Sequence, residues 1–434
     1  MAVLFSDGVL VTCDPARGVV SGDLLVDDGR ILAIGPDLQA PDAERVPLRG
    51  AWVYPGFVQS HVHLCQTLFR GMADDLVLLD WLRTRIWPLE AAHDLDSMYW
   101  SARLGVTELL LGGTTAVLDM GTVDHLDGVF QACAEAGIRA TSGRAMMDRP
   151  NAAGLSQDTD LALQGACDEA DRWHGKGRLR YAFAPRFVPS CTERLLREAG
   201  ELARARGCRV HTHASENLDE VALVRELTGR DNVEHLDALG LTGSDVALAH
   251  CIHLTPSEVA LLARTGTRVL HCPSSNLKLG SGVAPVPELL AAGVHVSLGA
   301  DGAPCNNRLD MFTEMRLAAL IQGPRVGPGV LSAQDVLTLA TRRGAEALGL
   351  DDCGSLQVGH QADLVIASPD ALTALPSPDP VSAAVYALTP AAVRQVYVAG
   401  QCVVRDGAVV GWDTAETVAG VRGALARVRQ RAGL

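Results

Sequence analysis

Tyr54-Pro55-Gly56-Phe57-Val58-Gln59-Ser60-His61-Val62-His63 is a short apolar run that opens after a turn signal and ends in two histidines one residue apart. Period-two alternation puts both imidazoles on one side of an extended chain, a spacing suited to chelating a single ion. Seven more apolar runs follow, at 115–119, 138–146, 179–185, 209–213, 246–250, 267–272 and 294–300. Most are separated by alanine- and leucine-rich stretches with helical spacing, as in 97–111, 192–206 and 256–264. Eight strand–helix units in succession predict an α/β fold, a closed parallel (β/α)8 TIM barrel over residues 56–357. A doubly wound open sheet is the alternative that counting leaves open.

Outside this region the texture changes. Short strands at 9–13, 23–26 and 31–34 are broken by Asp14-Pro15-Ala16-Arg17-Gly18 and Asp27-Asp28-Gly29-Arg30, a hairpin pattern with an Asp-Gly turn. The pattern returns at 395–398, 401–404 and 408–410, with Asp406-Gly407 between the last two. Two ends of one texture predict a small β-domain assembled from residues 1–55 and 358–434, closed by a helix over 414–432. No fixed period supports a tandem repeat instead.

The 434 residues include 51 acidic and 37 basic side chains, for a formal net charge of -14; 48% are hydrophobic and 20% charged. Such a chain has ample material for a core and is not disordered. The acidic excess, with no run of lysine or arginine, argues against nucleic acid or an anionic membrane as partner and leaves a small molecule. The N-terminus has no basic region followed by an apolar stretch, and no apolar run reaches the ~18 residues of a membrane span. A cytoplasmic protein is expected. The eleven cysteines lack a Cys-x-x-Cys pair, so neither a disulfide framework nor a zinc ribbon is supported, and most are expected to be reduced and buried.

Polar residues gather where the predicted strands end, the face on which barrel enzymes place their chemistry. The first strand ends in His61-Val62-His63, the fifth in His211-Thr212-His213-Ala214-Ser215-Glu216, the sixth at His250 and the eighth in Gly299-Ala300-Asp301-Gly302. Each has a plain structural alternative. His-x-His arises by chance, a lone His250 can serve as a satisfied core histidine, and Asp301 before glycine can be a turn residue. Their joint placement favours a metal site in which His61, His63, His213 and Asp301 converge on one divalent cation and leave a position for water. His211, one layer deeper, is expected to support the site rather than bind the ion. Glu216 stands where a carboxyl can move a proton between water and a substrate nitrogen; the alternative is an ordinary glutamate at a helix start. The fourth strand contains no lysine, so a bridging carbamylated lysine is unavailable and one ion is favoured over two.

These segments, together with His271-Cys272-Pro273-Ser274-Ser275-Asn276-Leu277-Lys278-Leu279-Gly280-Ser281-Gly282 and Gly359-His360-Gln361-Ala362-Asp363-Leu364-Val365, resemble the amidohydrolase superfamily over nearly the whole chain. The similarity is to the branch of metal-dependent aminohydrolases. The resemblance implies a distorted (β/α)8 barrel with a β-sandwich formed from both termini, and a homodimer or higher homo-oligomer. It also implies one metal ion, zinc first with iron or manganese as alternatives, on His61, His63, His213 and Asp301. Glu216 would be the proton shuttle, His250 would orient the attacking water and Asp301 would take its proton.

For the substrate the resemblance points two ways. Phe69-Arg70-Gly71-Met72-Ala73-Asp74-Asp75-Leu76, Trp81-Leu82 and Trp87-Pro88-Leu89-Glu90 look like the deaminases of 5'-deoxyadenosine, methylthioadenosine and S-adenosylhomocysteine, in which the residue matching Glu90 binds ribose hydroxyls. Lys278 to Gly282 and Ala303-Pro304-Cys305-Asn306-Asn307 agree with them. Gln66 and Ala184-Pro185-Arg186-Phe187 instead look like guanine deaminases, where an amide and a guanidinium read the purine. The expectation is therefore a deaminase of a 5'-modified adenosine, with guanine or a triazine as the alternative and Gln66, Trp81, Glu90 and Arg186 as substrate contacts. Trp81 reads equally as a stacking aromatic or a core residue. Arg144 and Arg149 are either carboxylate contacts or surface arginines. A catalytically silent binding protein is the remote alternative, and would be expected to lack a ligand or the shuttle.

Overall fold

A computed structural model describes residues 2–150 and 153–434. Five strands open the chain: β1 (Val3–Val11), β2 (Val19–Asp27), β3 (Arg30–Gly35), β4 (Glu44–Pro47) and β5 (Trp52–Pro55). Ten more follow: β6 (Phe57–His63), β7 (Thr114–Met120), β8 (Arg139–Gly143), β9 (Ala145–Met146), β10 (Leu179–Pro185), β11 (Arg209–Ala214), β12 (Val246–His250), β13 (Arg268–His271), β14 (His295–Leu298) and β15 (Asp301–Gly302). The chain finishes with β16 (Leu364–Ala367), β17 (Val393–Val398), β18 (Gln401–Arg405), β19 (Ala408–Val409) and a helix at Thr414–Ala432.

β6 to β15 form one sheet of parallel pairs in the order β14-β13-β12-β11-β10-β8-β7-β6-β15, with β9 beside β10. The expected third strand is interrupted at Arg144, yet β8 and β9 keep one register on β10, Ser142 opposite Tyr181 and Ala145 opposite Ala184. The expected eighth strand also breaks. β14 pairs with β13, the chain bends through Gly299 and Ala300, and β15 pairs with β6, Asp301 opposite Val62. Because β14 and β15 are two residues apart in sequence but sit at opposite ends of the sheet order, the sheet curls back to its own first strand. Side chains stitch this seam: Ser60 Oγ donates to Leu298 O at 2.6 Å and Ser297 Oγ to Ser60 Oγ at 2.9 Å. The result is a TIM-barrel-like α/β fold, not an open doubly wound sheet.

Some helices carry cap signals at both ends. At Pro256–Thr265, Thr255 and Glu258 form a reciprocal capping box, Pro256 opens the first turn and Gly266 closes the last with φ +72°. The final helix follows the expected 414–432 span and packs Ala424 and Val428 with Leu68, Phe69 and Leu89. That contact supports the 3-10 turn Leu64–Phe69, which carries Gln66.

The strands of both chain ends share a nine-stranded sheet, ordered β19-β18-β17-β16-β5-β1-β2-β3 with β4 beside β1. β5 and β16 join the two ends, Val53 opposite Ile366. Asp28-Gly29 and Asp406-Gly407 make the tight turns, each pair with consecutive positive φ. Alternation sorts side chains by face: Val53, Leu364 and Ile366 pack with Phe5, Leu10 and Tyr397, whereas Trp52, Tyr54 and Val365 join the core that runs into the barrel. β5 and β16, only four residues each, fell outside the expected elements because they are buried throughout and show no polar alternation. All eleven cysteines are free, and ten are buried.

The seam tolerates no side chain at residue 299, where a Cβ would lie 2.7 Å from both the N and the O of His61. Gly299→Ala is expected to cost about 1–3 kcal/mol or more, since the backbone of β6 at His61 must shift. Thermal denaturation reads this directly; an unchanged midpoint would mean the seam has more room than its geometry indicates.

Candidate metal centre and substrate cavity

His61 and His63, on β6, face inward beside His213 at the end of β11 and Asp301 in β15. The Nε2 atoms of His61 and His63 each lie 3.3 Å from Asp301 Oδ1, and the Nε2 atoms of His63 and His213 lie 3.3 Å apart. The outer nitrogens settle which ring atoms carry protons. His63 Nδ1 is 2.8 Å from Met120 O and His213 Nδ1 is 2.7 Å from Arg186 O. A carbonyl can only accept, so both Nδ1 atoms donate and both Nε2 atoms present lone pairs to one another. His61 Nε2 has no hydrogen-bond partner among the described residues, while its Nδ1 lies 2.8 Å from His211 Nε2, which places His211 behind the cluster.

Bare lone pairs and a carboxylate meeting in a buried space repel one another unless a cation lies between them. Tetrahedral zinc with bonds of about 2.0–2.1 Å separates its donors by about 3.3 Å, so the spacing matches the ion's requirement. The buried orphan nitrogen and the N3O donor set thus fit a divalent metal cofactor.

The electrostatics agree. Burial would raise the Asp301 carboxyl, but the His61 imidazole beside it, with His63 and His250, outweighs that and holds it well below the usual range. Burial, then the neighbouring His61 imidazole, pushes His63 down to about 3, and burial keeps His213 well below the usual imidazole value. These rings are neutral at physiological pH, as metal ligands must be. Glu216 moves the other way: burial, then the Asp301 and Glu220 charges, raises it well above the carboxylate range.

The strand ends bend sharply to present these groups. Ser215, His250, Cys251 and Asp301 all have positive φ, between 48° and 72°, a conformation that L-residues avoid at a cost of about 1–2 kcal/mol each. Hydrogen bonds hold them there. Ser275 Oγ donates to Asp301 Oδ2 at 2.6 Å, and Ile252 N and His253 N donate to Ser215 O. Glu220 accepts from the backbone N of Glu216 and is itself held by Asn232, which fixes the loop that carries Glu216. His250 Nδ1 pairs with Asn276 Oδ1 at 2.8 Å, so its Nε2 faces Glu216 Oε2 at 3.4 Å and Asp301 Oδ2 at 3.9 Å. Sequence reasoning did not single out Ser275, Asn276 or Glu220. The first two lie within the 271–282 segment, and Glu220 closes an Asn217-x-x-Glu220 capping box.

A cavity opens above the cluster, walled by Gln66, Leu78, Trp81, Leu82, Arg186, Phe187 and Leu279. Its floor is His63, His213, Glu216, His250 and Asp301. Trp81 is buried among Leu78, Leu82, Ile86 and Phe187 and also lines the cavity, so its two readings combine. Leu78, Leu82, Phe187 and Leu279 were absent from the expected contacts, since apolar residues carry no chemical signature. Glu90 does not line the cavity: it lies behind the wall, accepting from Gln66 Nε2 at 2.8 Å and from both Arg186 Nη atoms at 2.6 and 3.2 Å. Arg144 is paired with Glu169 and Arg149 donates to Cys191 O; neither lines the cavity.

The amidohydrolase family model matches residues 52–403. The 5'-deoxyadenosine deaminase of Methanopyrus kandleri is 35% identical over 96% of each chain. The 5-methylthioadenosine/S-adenosylhomocysteine deaminase of Moorella thermoacetica is 37% identical over 96% of this chain and 98% of that protein. Among solved structures, an adenosine deaminase from Xanthomonas campestris with bound zinc superposes with a TM-score of 0.93 at 34% identity, covering 99% of this chain and 98% of that one. A zinc complex of atrazine chlorohydrolase from Arthrobacter aurescens TC1 gives 0.91 at 27% identity, over 98% and 100%. The guanine deaminase of E. coli gives 0.85 at 30% identity, over 93% and 99%.

Elemental analysis of the purified chain is expected to find close to one equivalent of a divalent metal, and His61→Ala or Asp301→Ala to lose it. A metal present at a thousandfold its dissociation constant stabilises the fold by about 4 kcal/mol, so chelation should lower the melting temperature. A metal-free chain with an unaltered melt would remove the assignment.

Proposed function

The chain belongs to the amidohydrolase family, and on that premise we propose that it is a metal-dependent hydrolytic deaminase of an amino-substituted purine. The substrate is a 5'-modified adenosine such as 5'-deoxyadenosine, methylthioadenosine or S-adenosylhomocysteine, and the products are the inosine analogue and ammonia; the named relatives support this choice. The observation that carries the reading is the convergence of the His61, His63 and His213 Nε2 atoms on Asp301 beside a buried Glu216.

His61, His63, His213 and Asp301 would hold one ion, zinc by its donor set, with iron or manganese as alternatives. When bound, such an ion supplies the Lewis acidity that makes water nucleophilic near neutral pH. Asp301 accepts a proton from the attacking water as its oxygen adds to the amino-bearing ring carbon. Ser275 keeps the Asp301 carboxylate turned for this task. Glu216 donates its proton to the adjacent ring nitrogen, so the tetrahedral carbon forms without a full negative charge on the ring. His250, turned by Asn276, steadies the incoming oxygen through Nε2. The new hydroxyl then returns a proton to Glu216 while Asp301 protonates the departing amine, and ammonia leaves as the ring carbonyl forms. Gln66, Trp81 and Arg186 line the space the heterocycle would occupy.

Gln66 and Arg186 in the cavity wall favour guanine as the second reading, and the same chemistry at an electron-poor ring would serve a triazine. No ligand or shuttle residue is missing, which disfavours a silent binding protein. We further read residues 1–55 with 358–434 as a composite β-sandwich domain bearing the C-terminal helix, and 56–357 as the barrel. The free cysteines support a reducing compartment, the cytoplasm.

Glu216→Gln is expected to keep its metal and lose about 10²- to 10⁴-fold in kcat. Near-normal turnover would mean another group moves the proton. Ammonia release should be assayed over adenosine, the three 5'-modified adenosines, guanine, 8-oxoguanine and a chlorotriazine. Activity on guanine alone would replace the substrate and leave the chemistry in place.

A further inference from the structure

We infer that Glu90 is a positioning residue that aims Gln66 and Arg186 at the heterocycle, and not a group that takes substrate hydroxyls. The inference rests on the deaminase reading of the cavity. The Glu90 side chain is fully buried and that of Arg186 is 4% exposed. Both Glu90 oxygens are engaged: Oε2 accepts from Arg186 Nη1, and Oε1 accepts from Arg186 Nη2 and Gln66 Nε2. A ribose diol would have to displace a buried guanidinium to reach them, leaving that cation unpaired in a dry wall.

The carboxylate also decides which way the Gln66 amide faces. A carboxylate only accepts, so Nε2 must point at Glu90 and Oε1 is turned away from it. Oε1 is buried with no hydrogen-bond partner among the described residues, in a side chain that lines the cavity. Gly302 leaves it space, since a Cβ there would lie 2.2 Å from Oε1. The wall therefore offers one acceptor and one cationic donor side by side, held by a single carboxylate behind them. That pair suits a ring edge on which an N–H adjoins an acceptor atom, a feature of the heterocycle and not of its sugar. Arg186 also ties the wall to the metal site, because its carbonyl accepts from His213 Nδ1 and from the His213 backbone N.

The experiment compares 5'-deoxyadenosine with its 2',3'-dideoxy counterpart in the wild type and in Glu90→Gln, with metal content measured in both. If Glu90 positions the wall, the wild type should discriminate between the two by no more than about threefold. Glu90→Gln should then lower kcat/KM for both by the same factor, about tenfold or more and chiefly through KM, with metal retained. Glu90→Asp, which keeps the charge, should recover part of the loss. A wild-type preference of about tenfold or more for the diol that vanishes in Glu90→Gln would overturn the inference. If the wild type releases ammonia from neither compound, the substrate reading has failed separately. The positioning role is then tested by thermal melts of Glu90→Gln, Arg186→Met and the double variant. Midpoint losses that cancel in the double variant support the pair, and losses that simply add overturn it.

Discussion

Lone pairs crowd together at the centre of this barrel. His63 and His213 each give their Nδ1 proton to a backbone carbonyl, so their Nε2 atoms face each other bare at 3.3 Å, with Asp301 Oδ1 as close to His63. A buried arrangement of this polarity holds together only around a cation, and each surrounding layer of the structure serves to bring its members into one place. These side chains come from β6, β11 and β15, which are distant in sequence and become neighbours of one space only because the sheet curls shut. The break between β14 and β15 is what permits closure, and the same break delivers Asp301 beside the first strand.

Around the cluster the chain keeps its backbone in unfavourable conformations at Ser215, His250, Cys251 and Asp301. These are the positions where strands stop and side chains must turn over the site. Each is braced by a neighbouring group, from Ser275 on Asp301 and Asn276 on His250 to the backbone amides on Ser215. Preorganisation of this kind holds one carboxyl, Asp301, well below the usual carboxylate range while another, Glu216, is raised well above it. Two carboxyl groups shifted in opposite directions are what a hydrolytic deamination asks of its protein.

Much of the site was legible because its signals are local. His61 and His63 are read from alternation on one strand, and His213, His250 and Asp301 from standing at the ends of apolar runs. Glu90 shows the limit. Its similarity to ribose-binding residues pointed to a substrate contact, yet its partner Arg186 lies 96 residues away in sequence and their pairing is invisible without coordinates. Ser275, Asn276 and Glu220 sat in plain view inside motifs, but what each side chain touches depends on loops that meet only in the folded barrel. The same holds for the apolar cavity walls Leu78, Leu82 and Leu279, which in sequence look like any other core leucine.

The sequence by itself determined the order of the barrel strands, the residues able to bind metal and the assembly of one sheet from both chain ends. Those follow from periodicity and composition, which act over a few residues. The tertiary structure alone decided where the eighth strand breaks to close the barrel, which imidazole nitrogens are bare, and that Glu90 lies behind the cavity wall rather than in it. These depend on distances between atoms far apart along the chain, set by packing geometry that no local pattern encodes.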